Sequence, residues 1–339
     1  MFSNMISSMY KVFISVLILF IASTGVQAQK TESKPIPRDT TFTPHLAWMK
    51  IKKEFPQAEI VKPLLPENVK AKYNKVYLTL KETPYGKREL HLDIFRPKKK
   101  GNYLCLLLVH GGGWRSGDRS MQIPMAQQIA ARGYVTAVVE YRLSMEALYP
   151  ASISDIRNAI RYLRKNAAKY NINQNSVAIS GSSAGGQLAA LIGLSGNNPK
   201  FDQQNPYPGI SVQVQAVIDM DGVLDFTDPN ESAKDTNPDK PSAGALWFGA
   251  TYKQAPEKWV EASPMQYTHK NSPPMLFINS ALPRFHAGRD GVIADLDKWG
   301  IYSEVHTIEN TPHPFWLFHP WFEPTVNYMV DFLDKILKE

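Results

Sequence analysis

Apolar and polar residues alternate along residues 76–80 and again along 90–94. A period of two with one apolar face is the pattern of half-exposed antiparallel strands. The rhythm then changes. Residues 104–109, 135–139, 177–179, 214–218 and 275–278 are short, nearly continuous apolar runs, as expected of parallel strands buried on both faces. Between them, Ile153, Ile156, Ile160 and Leu163 fall on one helical face. Near the end of the chain Val326, Met329, Val330, Leu333 and Leu337 do the same. Strands alternating with helices predict βαβ units and a mostly parallel sheet. No internal repeat and no Gly/Ser linker interrupts residues 75–339, so residues 71–339 read as one domain.

The segments before this domain are of another kind. Residues 29–70 are rich in Pro, Lys and Glu and lack a clear period, which predicts an N-terminal arm packed loosely on the domain. In residues 1–28, Lys11 precedes an apolar run over 12–22, and Val26-Gln27-Ala28 offers small residues for cleavage. That is the pattern of a signal peptide cut after Ala28. The run is about half the length needed to span a bilayer, and no Cys near the cut suggests a lipid anchor. The expectation is a secreted or periplasmic protein with no membrane anchor after cleavage.

Composition narrows the picture further. With 339 residues, 43% of them apolar, the chain fits neither disorder, collagen nor a coiled coil. Its single cysteine, Cys105, cannot form an internal disulfide, and its apolar surroundings make it a buried hydrophobe. The formal charge is +7; removing residues 1–28 takes away one Lys and no Arg, Asp or Glu, leaving +6. A basic exported protein suits an acidic polymer such as pectin. Scattered surface lysines explain the same number, and Lys98-Lys99-Lys100 reads as a solvated turn. No nucleic-acid partner is expected.

The chemistry lies in two glycine-rich turns. Residues 176–180 form a buried strand pattern and residues 184–192 a helix former, with Gly181-Ser182-Ser183-Ala184-Gly185 between them. This is G-x-S-x-G in a strand–turn–helix context, which places Ser183 as a nucleophile on a strained turn. The following helix N-terminus aims backbone N–H groups at the oxygen that becomes negative during attack. Ser182 occupies a variable position of the motif. The bland alternative, a Ser/Gly-rich connector, does not require this spacing. The second turn, His110-Gly111-Gly112-Gly113-Trp114, follows the run ending at Val109. Consecutive glycines let backbone N–H groups approach a substrate oxygen. No Lys-Ser/Thr follows, as a phosphate-binding loop would require.

Together with Glu140-Tyr141-Arg142-Leu143, Tyr149-Pro150-Ala151 and Asp155, these turns resemble α/β-hydrolase esterases of the hormone-sensitive-lipase and feruloyl/acetyl-esterase group, over roughly residues 75–339. The resemblance implies an α/β-hydrolase fold with a mostly parallel eight-stranded sheet, a Ser-His-acid triad, ester hydrolysis and no metal or organic cofactor. It also implies oxyanion-hole N–H groups from Gly112, Gly113 and Ala184, with Trp114 an aromatic neighbour of the pocket.

The base is expected after the last strand. Residues 303–308 alternate, and His313 follows in a loop, late in the chain and after the nucleophile. His306 lies within the strand and His319 enters the next segment. The acid departs from the family pattern. Past the strand at 275–280 stand Ala281, Leu282, Pro283 and Arg284, none acidic. Asp221, ending the preceding strand pattern, and Asp290, further along the loop, are both candidates. Asp221 can equally be a turn carboxylate and Asp290 a first-turn helix carboxylate. Asp221 is favoured because Asp290 lies deep in the following helix; a His oriented by backbone or water is the third option.

Substrate clues are coarser. Trp316 belongs to an aromatic run after His313 that suits sugar stacking or a packed lid. Arg284 and Arg289 could bind a uronate carboxylate or make internal ion pairs. An exported esterase with a basic, aromatic-rimmed cleft most resembles enzymes that remove acetyl, methyl or feruloyl groups from pectin or xylan. Its rivals are an exopeptidase of the same fold and a non-catalytic carbohydrate-binding pseudo-hydrolase.

Overall fold

The computed structural model describes residues 34–232 and 239–338. The leader read over residues 1–28 lies outside the described residues. Eight strands form one sheet: β1 (Val69–Leu80), β2 (Arg88–Pro97), β3 (Tyr103–Val109), β4 (Val135–Val139), β5 (Ile172–Ser182), β6 (Ala216–Met220), β7 (Met275–Ser280) and β8 (Ser303–Ile308). Their spatial order is β1-β2-β4-β3-β5-β6-β7-β8. β2 runs antiparallel to β1 and β4, and all remaining pairs are parallel.

The flanking helices are α1 (Pro44–Ile51), α2 (Ile123–Ala131), α3 (Ala151–Lys165), α4 (Ala184–Ser195), α5 (Ala243–Phe248), α6 (Pro256–Glu261), α7 (Arg289–Lys298) and α8 (Phe322–Leu337). The nearly continuous apolar runs follow from helices covering both faces. On β3, Cys105, Leu107 and Val109 face one core with Ile156 of α3 and Leu188 of α4. Leu104, Leu106 and Leu108 face the other, with Ile129 of α2 and Leu333 of α8. Successive side chains on a strand point to opposite faces, so both sets must be apolar. Burial pushes the Cys105 thiol up to about 12, which removes it as a nucleophile at neutral pH.

The arm is more firmly attached than its sequence predicts, and β1 begins at Val69 instead of near residue 75. Residues Glu59–Ile60 pair antiparallel with Phe318–His319. Asp39 accepts a 2.9 Å hydrogen bond from Arg115 Nε, and Trp48 Nε1 donates to the Ala58 carbonyl. Ala47 and Ala58 are buried. The arm therefore docks through a helix, a strand pair and an ion pair.

Candidate active site

The β5–α4 turn is tight because nothing else fits. A Cβ on Gly181 would lie 2.0 Å from the Gly185 carbonyl oxygen, and one on Gly185 2.3 Å from that of Val109. Within this turn Ser183 has φ 55° and ψ −124°, a left-handed conformation costly for a side-chain-bearing residue. The Ser183 N–H is held by the Met220 carbonyl at 2.7 Å. Ser182 points the other way; fully buried, its Oγ accepts from Gln122 Nε2.

The loop after β3 sits directly against the elbow. A Cβ on Gly111 would lie 2.6 Å from the Ser182 carbonyl oxygen and 3.0 Å from Ser183 Cβ. The Gly112 carbonyl accepts from Arg115 N, Ser116 N and Ser116 Oγ, which fixes the peptide orientation. Tyr141 at the end of β4 donates to the His110 carbonyl at 2.9 Å, anchoring the start of the loop. Among the described residues no acceptor takes the N–H of Gly112, Gly113 or Ala184.

Ser183, His313 and Asp221 form a continuous chain. His313 Nε2 lies 2.9 Å from Ser183 Oγ, and His313 Nδ1 lies 2.9 Å from Asp221 Oδ2. Asp221 is fully buried. It accepts 2.8 Å and 2.6 Å bonds from the backbone N–H and Oγ of Ser280, and a 3.4 Å bond from Asn279 Nδ2. Such a carboxylate is fixed in place and can hold one imidazole tautomer. Asp290 is not part of this chain. It is largely exposed on the first turn of α7, where it pairs with Arg289.

For the residues named as substrate-binding, the structure shows internal partners. Arg284 donates to both oxygens of Glu231, at 2.5 and 3.2 Å. Arg289 donates to Asp290 at 2.8 Å and to Asn279 at 3.0 Å. Both guanidinium groups thus have carboxylates of the chain itself, and Arg289 braces the Asn279 side chain that touches Asp221. Trp114 is buried, stacked on Trp247 at 4.8 Å, with its indole N–H given to Gln187. Its indole is taken up by these contacts within the core. Trp316 is buried too and meets His313 edge-on at 5.1 Å. With Phe315, Leu317, Phe318, Trp321 and Phe322 equally buried, the aromatic run is a packed layer and not an open sugar platform.

Other members of the site carry no local sequence signal. Asp219 is buried two residues before Asp221, and burial with the Asp221 charge pushes its carboxyl up to about 8. Its Oδ1 accepts the Gly222 N–H, while no hydrogen-bond partner reaches Oδ2. Phe285 lies flat on the His313 ring. Neither could be picked out without the strand register. Among the described residues no group of three or more His, Cys, Asp or Glu could hold a metal ion, and no helix is long and apolar enough to cross a membrane.

The BD-FAE family model matches residues 92–282, more than half of the chain, including the loop at 110–114, Ser183 and Asp221. The chain belongs to the BD-FAE family. It is 32% identical to the esterase LipC of Mycobacterium tuberculosis over 205 residues, 60% of this chain and 48% of that protein. It is 29% identical to the AB hydrolase superfamily protein C1039.03 of Schizosaccharomyces pombe over 231 residues, 65% of this chain and 67% of that one. The chain thus spans about half the length of LipC. Among solved structures, a truncated carbohydrate esterase from gut microbiota superposes with a TM-score of 0.64 at 23% identity, covering 79% of this chain and 98% of that one. The propionate-bound esterase Est2 of Thermogutta terrifontis gives 0.63 at 23% identity, covering 80% and 96%. The fold of BD-FAE family member and neighbours alike is that of the α/β-hydrolases, as the sequence resemblance implied.

Proposed function

We propose that this BD-FAE family member is an exported serine ester hydrolase that removes acyl groups from a plant cell-wall polysaccharide. The observation that carries the hydrolase reading is the Ser183–His313–Asp221 chain, with 2.9 Å between each pair of partners. Ser183 Oγ attacks the ester carbonyl carbon while His313 Nε2 takes its proton. The carbonyl oxygen gains the electron pair and is held by the N–H groups of Gly112, Gly113 and Ala184. Collapse expels the alcohol, which receives the proton from His313 and leaves an acyl-Ser183. Water, deprotonated by His313, then attacks that acyl carbon and regenerates Ser183. Asp221 holds the His313 N–H and stabilises the imidazolium formed in each half.

Internal ion pairs bear on the choice of substrate. Arg284 and Arg289 are engaged with Glu231, Asp290 and Asn279, so neither of these two is reserved for a uronate. That favours acetyl groups on a neutral backbone such as xylan over methyl esters of pectin. The gut-microbiota carbohydrate esterase shares the fold, and the leader pattern at residues 1–28 supports export.

Acid release from acetylated xylan and methylated pectin by the purified protein, beside Ser183→Ala, tests this reading. The expected result is acetate from xylan, with the variant lower by more than about 10⁴-fold. Equal release by both proteins would contradict the hydrolase assignment, and release from pectin alone would contradict the substrate.

A further inference from the structure

The loop after β7, where the family's acid is expected, carries an aromatic ring and no carboxylate before α7. Phe285 stacks on His313 with centroids 3.7 Å apart and planes 6° from parallel. Two neutral aromatic rings prefer an offset or edge-on arrangement, because a direct face-to-face stack sets like quadrupoles against each other. A cation over the same ring face is attracted instead. The stack is therefore matched to imidazolium, the form His313 takes after it accepts the Ser183 proton.

We propose that Phe285 is a positioning residue of the reaction, holding the His313 ring and favouring its charged form through its π-face. The proposal rests on the ester-hydrolase reading and gives His313 a partner on its ring face, beside Ser183, Asp221 and the edge-on Trp316.

The surroundings keep Phe285 where it is. The Arg284–Glu231 pair pins the preceding residue, and the Phe285 carbonyl accepts from Asn279 Nδ2 at 3.4 Å. His286 Nε2 lies 2.8 Å from the Ser280 carbonyl oxygen, closing the short turn Pro283–His286 against β7. Trp316, edge-on to His313, blocks its rotation from another side. The titratable groups nearest the imidazole are thus Asp221, in direct contact, and Asp219, two residues before it, whose carboxyl burial pushes up to about 8. Arg289 with Asp290 lies beyond Asn279, and Arg284 with Glu231 on the far side of Phe285. The Arg284 guanidinium lies 5.3 Å from the Phe285 centroid, and its charge is taken up by Glu231. His286 is the one other titratable group in the turn.

The test is the pH dependence of kcat/KM for an aryl acetate with wild type, Phe285→Leu and Phe285→Trp. Loss of the π-face moves the acid limb of Phe285→Leu to lower pH by about half a unit and lowers its plateau about threefold. Phe285→Trp keeps both near wild type. A plateau that falls while the limb stays in place would make the ring mere packing and overturn the proposal, as would no change in either. Should Phe285→Leu lose its cooperative melt, Phe285→Met carries the same comparison. The His313 ring proton, followed by NMR titration, reads the same shift without turnover. A displaced midpoint in a protein that cleaves no ester would sink the hydrolase reading and leave the stack standing; an undisplaced midpoint would overturn the stack alone.

Discussion

Asp219 and Asp221 stand two residues apart on one strand end, and their environments divide the labour between them. Asp221 accepts hydrogen bonds from Ser280, Asn279 and His313. Asp219 receives one, from Gly222, and no hydrogen-bond partner reaches its Oδ2. Gly186 and Gly222 make room for it, since a Cβ on either would lie 2.2 Å from its Oδ1. A buried acid in this position keeps its proton, which leaves Asp221 as the single negative charge behind His313. The native state then binds that proton more tightly than the unfolded chain, whose carboxyl titrates near 3.8, while the folded one titrates near about 8. Stability is therefore lost as pH rises between those values. Asp219→Asn keeps the acceptor for Gly222 and removes the titration. Its melting temperature relative to wild type should climb from about pH 4 to about pH 8 and level off above that. A difference that stays constant across the range would show that Asp219 is ionised in the fold.

The supporting elements explain the motif residues that do no chemistry. Arg142, after β4, makes a bidentate contact with the fully buried Asp155 of α3, at 2.8 and 2.7 Å, and Asp155 also accepts the Arg142 N–H. The pair locks the β4 end against α3, beside the Tyr141 that holds His110. Breaking a buried pair from one side leaves an uncompensated charge, so Asp155→Ala should cost about 3–5 kcal/mol in urea unfolding. A loss within that of an exposed pair, below about 1 kcal/mol, would contradict this account. At this scale the sequence was readable. Periods of two and 3.6 located the strands and long helices, because burial on one or two faces dictates those periods. The arm was not readable, since α1 has eight residues and Glu59–Ile60 only two, too short for a period to show. Its partner, Phe318–His319, lies at the far end of the chain.

Across the whole molecule, what the sequence left open is what distant segments decide together. Ser183 and His313 were legible from a local turn and from chain order. The acid was favoured at Asp221 but not fixed, because its identity depends on β6 lying beside β7. The register Met220↔Ile278 brings Asp221 to the two donors of Ser280. The role of the arginines stayed open for the same reason, as Glu231 meets Arg284 across 53 residues. The central claim is thus a site whose acid has moved from the end of β7 to the end of β6 without changing its task. Its most direct test is kcat for an aryl acetate measured on Asp221→Asn and Asp290→Asn side by side. The account predicts a loss of about 10³- to 10⁴-fold for Asp221→Asn and a wild-type rate for Asp290→Asn. Equal losses, or the larger loss at Asp290, would contradict it.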